Sequence, residues 1–214
     1  MLKRKVDDYL IQWKNNPDRL PLVIKGARQI GKTFSVRNFA KNYKNYIEIN
    51  FITDPQFKTI FKNGYSPESI IKEITLLRPD WEFIPNETLI LFDEIQVFPD
   101  CTTCLKFFKL DGKYDVICSG SLLGINYNQI TSVSVGYKTD YEMYSLDFEE
   151  FLWAKGYKQE QIDGILEHMI NQTPFSELEY KVWMDNFMEY VTLGGMPRVV
   201  DMFITNKNYS GTLQ

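Results

Sequence analysis

The segment Gly26-Ala27-Arg28-Gln29-Ile30-Gly31-Lys32-Thr33 is the most informative stretch of this 214-residue chain. It matches the pattern G-x-x-x-x-G-K-[S/T] at every fixed position. An apolar run, Leu20 to Ile24, leads into it, and a stretch with Val36 and Phe39 on one helical face follows it. Strand, glycine loop and helix form the context in which this pattern wraps backbone N–H groups around a phosphate. The segment therefore predicts a phosphate-binding loop.

Each residue type in this loop has a physical role toward a nucleotide. The glycines allow close approach of the backbone, and the following helix N-terminus adds partial positive charge. Lys32 is expected to bridge the β- and γ-phosphates of ATP, and Thr33 to ligate Mg²⁺. Arg28 could screen phosphate charge or pair with a carboxylate. The predicted nucleotide-binding residues are Gly26, Ala27, Arg28, Gln29, Ile30, Gly31, Lys32, Thr33 and Phe34.

A second chemical feature is the run Leu89-Ile90-Leu91-Phe92-Asp93-Glu94. Its four apolar residues predict a buried strand that carries two adjacent carboxylates to its C-terminal edge, where open α/β sheets bind ligands. Asp93 is expected to hold Mg²⁺ through its water shell. Glu94 is expected to orient and polarise the attacking water. The pair therefore predicts Mg-dependent ATP hydrolysis.

Two alternatives to hydrolysis remain open. Small-molecule kinases often lack a glutamate directly after the magnesium aspartate and carry several arginines in a lid. The six arginines of this chain are scattered, which makes a phosphotransferase the weaker reading. The other alternative is an ATP-binding module with negligible turnover. No arginine finger can be assigned, because Arg78, Arg198 or a residue of a partner could each supply it.

Polar residues also follow the next apolar strand, as Ser119-Gly120-Ser121. Either serine could sense the γ-phosphate or the attacking water, and the alternative is a turn-forming Ser-Gly-Ser. Gln96 could hydrogen-bond the same water network. The complete set of predicted catalytic residues is Glu94, Lys32, Ser119, Ser121 and Gln96, with Thr33 and Asp93 as the metal ligands.

Outside these motifs, strands alternate with helices. Five strands are predicted, at 20–24, 46–51, 88–92, 114–118 and 141–146, with short helices opened by Pro55 and Pro67. This alternation predicts an open, mostly parallel sheet flanked by helices. After Asp147 the pattern becomes helical, at 148–154, 159–170 and 177–191, until Gly194-Gly195-Met196-Pro197 ends it. We expect an ATPase core at 1–147, a lid-like helical segment at 148–193 and the start of a further domain at 194–214.

Composition limits the possible partners. The chain has 24 basic and 28 acidic residues, a net charge of −4, and so gives no global attraction to nucleic acid. Two local basic clusters, Lys3-Arg4-Lys5 and the lysines at 106, 109 and 113, leave nucleic-acid contact undecided. No apolar run is long enough to span a membrane, and the N-terminus does not resemble a signal peptide. These features predict a cytoplasmic protein without a membrane partner.

The three cysteines give a separate expectation. Cys101 and Cys104 have the spacing of a zinc knuckle or redox pair, but no second pair accompanies them. On a helix they share a face with Leu105 and Phe108, which is typical of a core stripe. We therefore expect the two thiols to lie in the core.

Taken together, the motifs resemble prokaryotic AAA-type ATPases that join an N-terminal ATPase domain to a C-terminal domain of unknown function. The resemblance implies an additional-strand P-loop fold with strand order 5-1-4-3-2, and it supports the roles given to Lys32, Thr33, Asp93, Glu94 and one of the two serines. Members of that family are longer, so the chain is expected to be a fragment or a truncated product. The matching segments are 21–33, 50–51, 92–96, 120–124, 146–152 and 194–197.

Overall fold

A computed structural model of the chain describes residues 2–121, 136–209 and 212. Within these residues, strands and helices alternate up to the fifth strand, and helices follow it. In chain order the elements are α1 (Lys5–Asn15), β1 (Leu22–Gly26), α2 (Lys32–Phe39), β2 (Asn45–Asn50), α3 (Pro67–Leu77), β3 (Thr88–Asp93), α4 (Cys104–Asp111), β4 (Asp115–Ser121), β5 (Thr139–Glu142), α5 (Phe148–Ala154), α6 (Gln159–Ile170), α7 (Glu177–Leu193) and α8 (Pro197–Asn206). Short 3₁₀ turns lie at Ala40–Asn42, Pro55–Phe61, Ile95–Val97 and Pro99–Thr103.

The strands form one five-stranded sheet in the order β2-β3-β4-β1-β5. All neighbouring strands are parallel. Read from the other edge, this is the predicted order 5-1-4-3-2, so the expected fold class is confirmed. Strands β1 and β3 are buried along their whole length. This burial explains the apolar runs in their sequences. Since the strands are parallel, the C-terminal ends of β1, β3 and β4 meet at one edge of the sheet.

The chain divides into two compact units. One unit spans Tyr9–Met143 and contains the sheet. Its largest core cluster lies where helices α3 and α4 cover the sheet, and Phe51, Phe92 and Phe108 are almost fully buried there. This core fixes the ends of β2 and β3, which carry polar residues toward the sheet edge.

The other unit combines residues 2–8 with residues 144–209. Its core contains Leu146, Phe151 and Val200. Arg4 reaches Glu150 in a buried ion pair, with Nε 3.1 Å from Oε1. At Gly195 an added Cβ would lie 2.1 Å from the carbonyl oxygen of Leu146, so only glycine fits that position. The predicted domain boundaries at 147 and 193 stay predictions.

Three local expectations need correction. The fifth strand is Thr139–Glu142 and not 141–146, since the Leu146 N–H donates to Gly195 O at 2.7 Å and is not available to the sheet. The segment opened by Pro55 is a 3₁₀ helix. Helix α8, which begins at Pro197, was not predicted. Residues 122–124 of the family-like segment lie outside the described residues.

All three cysteines lie in the interior of the sheet-containing unit. Cys101 lies in a 3₁₀ turn, Cys104 begins α4, and Cys118 lies on β4. Burial raises the pKa of the Cys101 and Cys104 thiols well above the usual range. The thiols are therefore neutral core groups. In the described part of the chain, no helix has the length and apolar character needed to cross a membrane.

Candidate active site

The glycine loop joins β1 to α2 in a conformation that its sequence dictates. An added Cβ at Gly26 would lie 2.2 Å from the carbonyl oxygen of Met143 and 2.5 Å from Cδ1 of Ile30, so a larger residue does not fit there. Gly31 has φ of 95° and Gln29 has φ of 65°, both in the left-handed region that favours glycine. Ile30 is only 1% exposed and anchors the loop in the core. The loop is therefore held in a compact, preformed shape.

Lys32 points back into this loop. Its Nζ donates to the carbonyl oxygens of Gly26 and Ala27, at 3.0 and 2.6 Å. Burial lowers the pKa of the Lys32 ammonium, and the carboxylates of Glu94 and Asp93 oppose that effect. Neutral carbonyls are weaker acceptors than a phosphate oxygen, so an anionic ligand at the loop would compete for this cation.

The Asp93 carboxylate accepts hydrogen bonds from residues of three different elements. Its Oδ2 accepts hydrogen bonds from Thr33 Oγ1 at 3.0 Å and Asn50 Nδ2 at 3.1 Å. Its Oδ1 accepts one from Ser119 Oγ. The carboxylate is only 3% exposed and is oriented from α2, β2 and β4 at once. The structure thus brings together the two predicted metal ligands and one predicted sensor.

Asn50 is a site residue that the sequence reasoning did not assign. Its Oδ1 accepts the backbone N–H groups of Ile52 and Thr53, at 2.9 and 3.2 Å, which leaves Nδ2 to face Asp93. Asn50 ends β2 in register with Asp93, the last residue of β3. Asn50 lies near the end of the strand predicted at 46–51 and in the family-like segment 50–51, which was the available signal. It becomes informative only once β2 and β3 are known to be neighbours.

Glu94 occupies strained backbone next to the loop. Its φ of 58° and ψ of 42° lie in the left-handed region, which costs a residue with a side chain about 1 kcal/mol or more. Its carboxylate accepts a hydrogen bond from Gln96 Nε2. Gln96 Oε1 in turn accepts the Ser121 backbone N–H at 3.0 Å. Gln96 therefore joins the second acidic residue to the end of β4.

The two candidate sensor serines have different surroundings. The Ser119 hydroxyl is engaged by Asp93. The Ser121 hydroxyl is buried and has no hydrogen-bond partner in the described part of the chain. Strand residues two apart lie on the same face, so both hydroxyls lie on one side of β4.

A cleft of about 340 Å³ opens over the loop. Phe34 on its wall is 58% exposed, which leaves an aromatic face free for a ligand. Of the candidate arginine fingers, Arg78 forms an ion pair with Asp80 at 2.8 Å, and Arg198 lies in the other unit. The cleft brings the predicted loop and Glu94 together, and its lining residues are Arg28, Gln29, Gly31, Lys32, Thr33, Phe34 and Glu94.

Comparison with known proteins gives a consistent result. A family model described as an AAA domain matches residues 18–152, well over half of the chain. No curated protein matches the sequence.

Two solved structures share the fold. The Walker-type ATPase PABY2304 of Pyrococcus abyssi is 14% identical, with a TM-score of 0.52 over all of this chain and 70% of that one. The Drosophila ORC bound to DNA is also 14% identical, with a TM-score of 0.51 over 93% of this chain and 58% of that one. At such identity the likeness shows a common fold.

Proposed function

Because the chain belongs to the AAA-domain family, we propose that it binds ATP with Mg²⁺ and hydrolyses the bond to the γ-phosphate. The observation that carries this proposal is the convergence of the loop and the acidic pair. Thr33 of the loop donates directly to Asp93, and Glu94 lines the same cleft as Lys32. A phosphate-binding loop and a water-directing carboxylate at one sheet edge are the parts that hydrolysis needs.

The residues around Asp93 fit a bound Mg²⁺. Thr33 and Asp93 already lie within hydrogen-bond distance of each other, and both offer the oxygen ligands that Mg²⁺ prefers. Asn50 Nδ2 and Ser119 Oγ also donate to the Asp93 carboxylate and help to orient it. We propose that Thr33 and Asp93 hold the ion, Asp93 through its water shell. The positive charge of the bound ion would offset the negative charge that develops on the phosphate oxygens.

Each protein group around the bound ATP has its own proposed role. Lys32 leaves the carbonyls of Gly26 and Ala27 and donates to the β- and γ-phosphate oxygens. The loop N–H groups and the N-terminus of α2 stabilise the phosphate charge. Glu94 orients a water molecule and accepts its proton as that water attacks the γ-phosphorus, while the bond from that phosphorus to the β–γ bridging oxygen breaks and ADP leaves. The buried Ser121 hydroxyl is our preferred sensor of the γ-phosphate, because the Ser119 hydroxyl is already engaged by Asp93.

We further propose that the nucleotide state acts as a switch on the helical residues after Asp147. Hydrolysis is expected to be slow until a partner protein or second copy supplies an arginine, a contribution worth about 10³–10⁵ in rate. ATP is the proposed small-molecule partner, and the predicted location in the cytoplasm stays a prediction.

The decisive experiment compares Glu94→Gln with the unchanged protein. The amide retains the size of the side chain but cannot accept the proton of water, so ATP should still bind while phosphate release falls by at least about 100-fold. Phosphate release and ATP affinity are measured on the same samples. Glu160→Gln, an exposed change on α6, is the matched control and should behave as the unchanged protein.

The outcomes separate the candidate functions. Turnover that Glu94→Gln abolishes supports the proposal. If the variant releases phosphate at the normal rate, Glu94 is not the base. Tight ATP binding without phosphate release by the unchanged protein would instead favour a binding module without turnover.

A further inference from the structure

The side chain of Gln96 forms a bridge between two separate parts of the site. Its Nε2 donates to Glu94 Oε2, and its Oε1 accepts the backbone N–H of Ser121 at 3.0 Å. Glu94 follows β3, whereas Ser121 is the last residue of β4. One carboxamide therefore links the acidic residue of the cleft to the neighbouring strand.

The chemistry of the two partners fixes the orientation of this amide. A carboxylate can only accept a hydrogen bond, and a backbone N–H can only donate one. The bridging side chain must therefore present a donor at one end and an acceptor at the other. Glutamine meets both demands, whereas glutamate would place a second carboxylate beside Glu94 and methionine would offer neither strong bond.

The backbone conformation around Glu94 places the Gln96 side chain close to both of its partners. Glu94, in its left-handed conformation, precedes the 3₁₀ turn Ile95–Val97, and Gln96 lies within that turn. Glu94 belongs to the lining of the cleft over the loop, and among the described residues Gln96 does not. Gln96 is thus placed to act through Glu94, and the expectation that it also bonds the water network stays a prediction.

We propose that Gln96 is a positioning residue, which holds the Glu94 carboxylate in its working orientation and ties that orientation to the end of β4. This inference rests on the proposed hydrolysis at Glu94. Strand β4 then supports both acidic residues, since Ser119 Oγ donates to Asp93 and the Ser121 N–H holds Gln96.

The first test separates positioning from general structure. In Gln96→Met the side chain keeps its length but loses both hydrogen bonds. We expect kcat to fall by about 10–100-fold, with ATP affinity within about twofold of the unchanged protein, because only the base is misplaced. Gln56→Met, at an exposed position of the same unit, is the control and should leave both quantities unchanged.

The second test uses Gln96→Glu, which keeps an acceptor for the Ser121 N–H and puts a like charge beside Glu94. The two carboxylates repel each other, so the Glu94 side chain should lose its orientation. We expect kcat to fall by at least about 10-fold, with ATP affinity within about twofold of the unchanged protein. A normal kcat in Gln96→Glu would overturn the positioning role.

The outcomes distinguish this inference from the proposed function. Normal turnover in Glu94→Gln overturns the proposed function. If Glu94→Gln is inactive but Gln96→Met keeps normal kcat, or loses kcat and ATP affinity together, only the positioning role is overturned.

Discussion

At the residue scale, the site is organised around the hydrogen bonds that its carboxylates accept. Asp93 receives side-chain donors from Thr33, Asn50 and Ser119, and Glu94 receives one from Gln96. Buried charged groups require such partners, since leaving them unpaired costs several kcal/mol. The same donors give each carboxylate a defined direction, which a metal ligand and a base both need.

Asn50 should matter for Mg²⁺ more than for nucleotide. Asn50→Asp keeps an acceptor for the N–H groups of Ile52 and Thr53 but turns a carboxylate toward Asp93. The misoriented Asp93 should raise the Mg²⁺ concentration needed for half-maximal turnover by about 10-fold, as expected when a group that supports a metal ligand is lost. Asn45→Asp, at the opposite end of β2, is the control. An unchanged Mg²⁺ requirement in Asn50→Asp would contradict the support role.

Lys32 should make ATP affinity sensitive to alkaline pH. Burial lowers the pKa of its ammonium, so the charged form is complete below that pKa and disappears as the pH rises through it. ATP affinity should therefore weaken on the alkaline side earlier than an ordinary lysine, with a pKa of about 10.4, would allow. Affinity measured from about pH 7 to about pH 10 tests this. Lys32→Ala should bind weakly at every pH, and an equal pH slope in both proteins would refute the assignment.

At the element scale, the ends of strands rather than their middles carry the chemistry. The loop after β1, Asn50 at the end of β2, Asp93 at the end of β3 and Ser121 at the end of β4 all lie at one edge. Parallel pairing in register makes this unavoidable, because all C-terminal ends point the same way. The end of β1 also packs closely against the residue that follows β5, since a Cβ added at Gly26 would lie 2.2 Å from the carbonyl oxygen of Met143.

Two glycine-to-alanine changes should have opposite effects on stability. At Gly26 the added Cβ would lie 2.2 Å from a backbone oxygen, so Gly26→Ala should lower the free energy of unfolding by about 1–3 kcal/mol. Gly164 lies inside α6 with nothing within 4 Å of an added Cβ. Gly164→Ala should raise the free energy of unfolding by about 0.5–1 kcal/mol, because it removes backbone entropy from the unfolded chain. Urea unfolding measures both, and destabilisation by Gly164→Ala would contradict the open surroundings seen there.

At the scale of the whole molecule, residues from the two ends of the chain share one compact unit. Arg4 pairs with Glu150 in the interior, and the backbone N–H of Lys5 donates to the same carboxylate at 2.7 Å. The Asp147 and Glu150 side chains also form a capping box at the start of α5. The N-terminal residues are therefore part of the packing of this helical unit.

The Arg4–Glu150 ion pair should stabilise the folded state of that unit. Arg4→Ala leaves the Glu150 carboxylate buried without its cation, which should cost about 3–5 kcal/mol. Amide hydrogen exchange of α5 should accelerate accordingly. Lys3→Ala removes an exposed ion pair with Asp8, 3.4 Å long, and should change stability by less than about 1 kcal/mol. Equal exchange in the two variants would show that the buried pair is dispensable.

Much of the fold and of the site follows from local sequence patterns. The glycine motif, the apolar run before Asp93 and the alternation of strands with helices predict a parallel P-loop sheet, because periodicity and turn residues act within a few neighbouring positions. The same patterns place Asp93 at the end of a strand and Glu94 directly after it, and they place Lys32 and Thr33 where the helix after the loop begins. The end of β5 was missed because the Leu146–Gly195 contact joins residues far apart in the chain. Helix α8 was missed although Pro197 in its first turn is a local signal for a helix start.

The supporting contacts could be decided only by the tertiary structure. Asn50 meets Asp93 across 43 residues, and Gln96 meets Ser121 across 25. No local pattern encodes such pairs, because they form only when the strand order makes β2, β3 and β4 neighbours. The sequence therefore identifies the groups that perform the proposed chemistry, and the folded sheet determines which side chains orient them, since hydrogen bonds depend on positions within a fraction of an ångström.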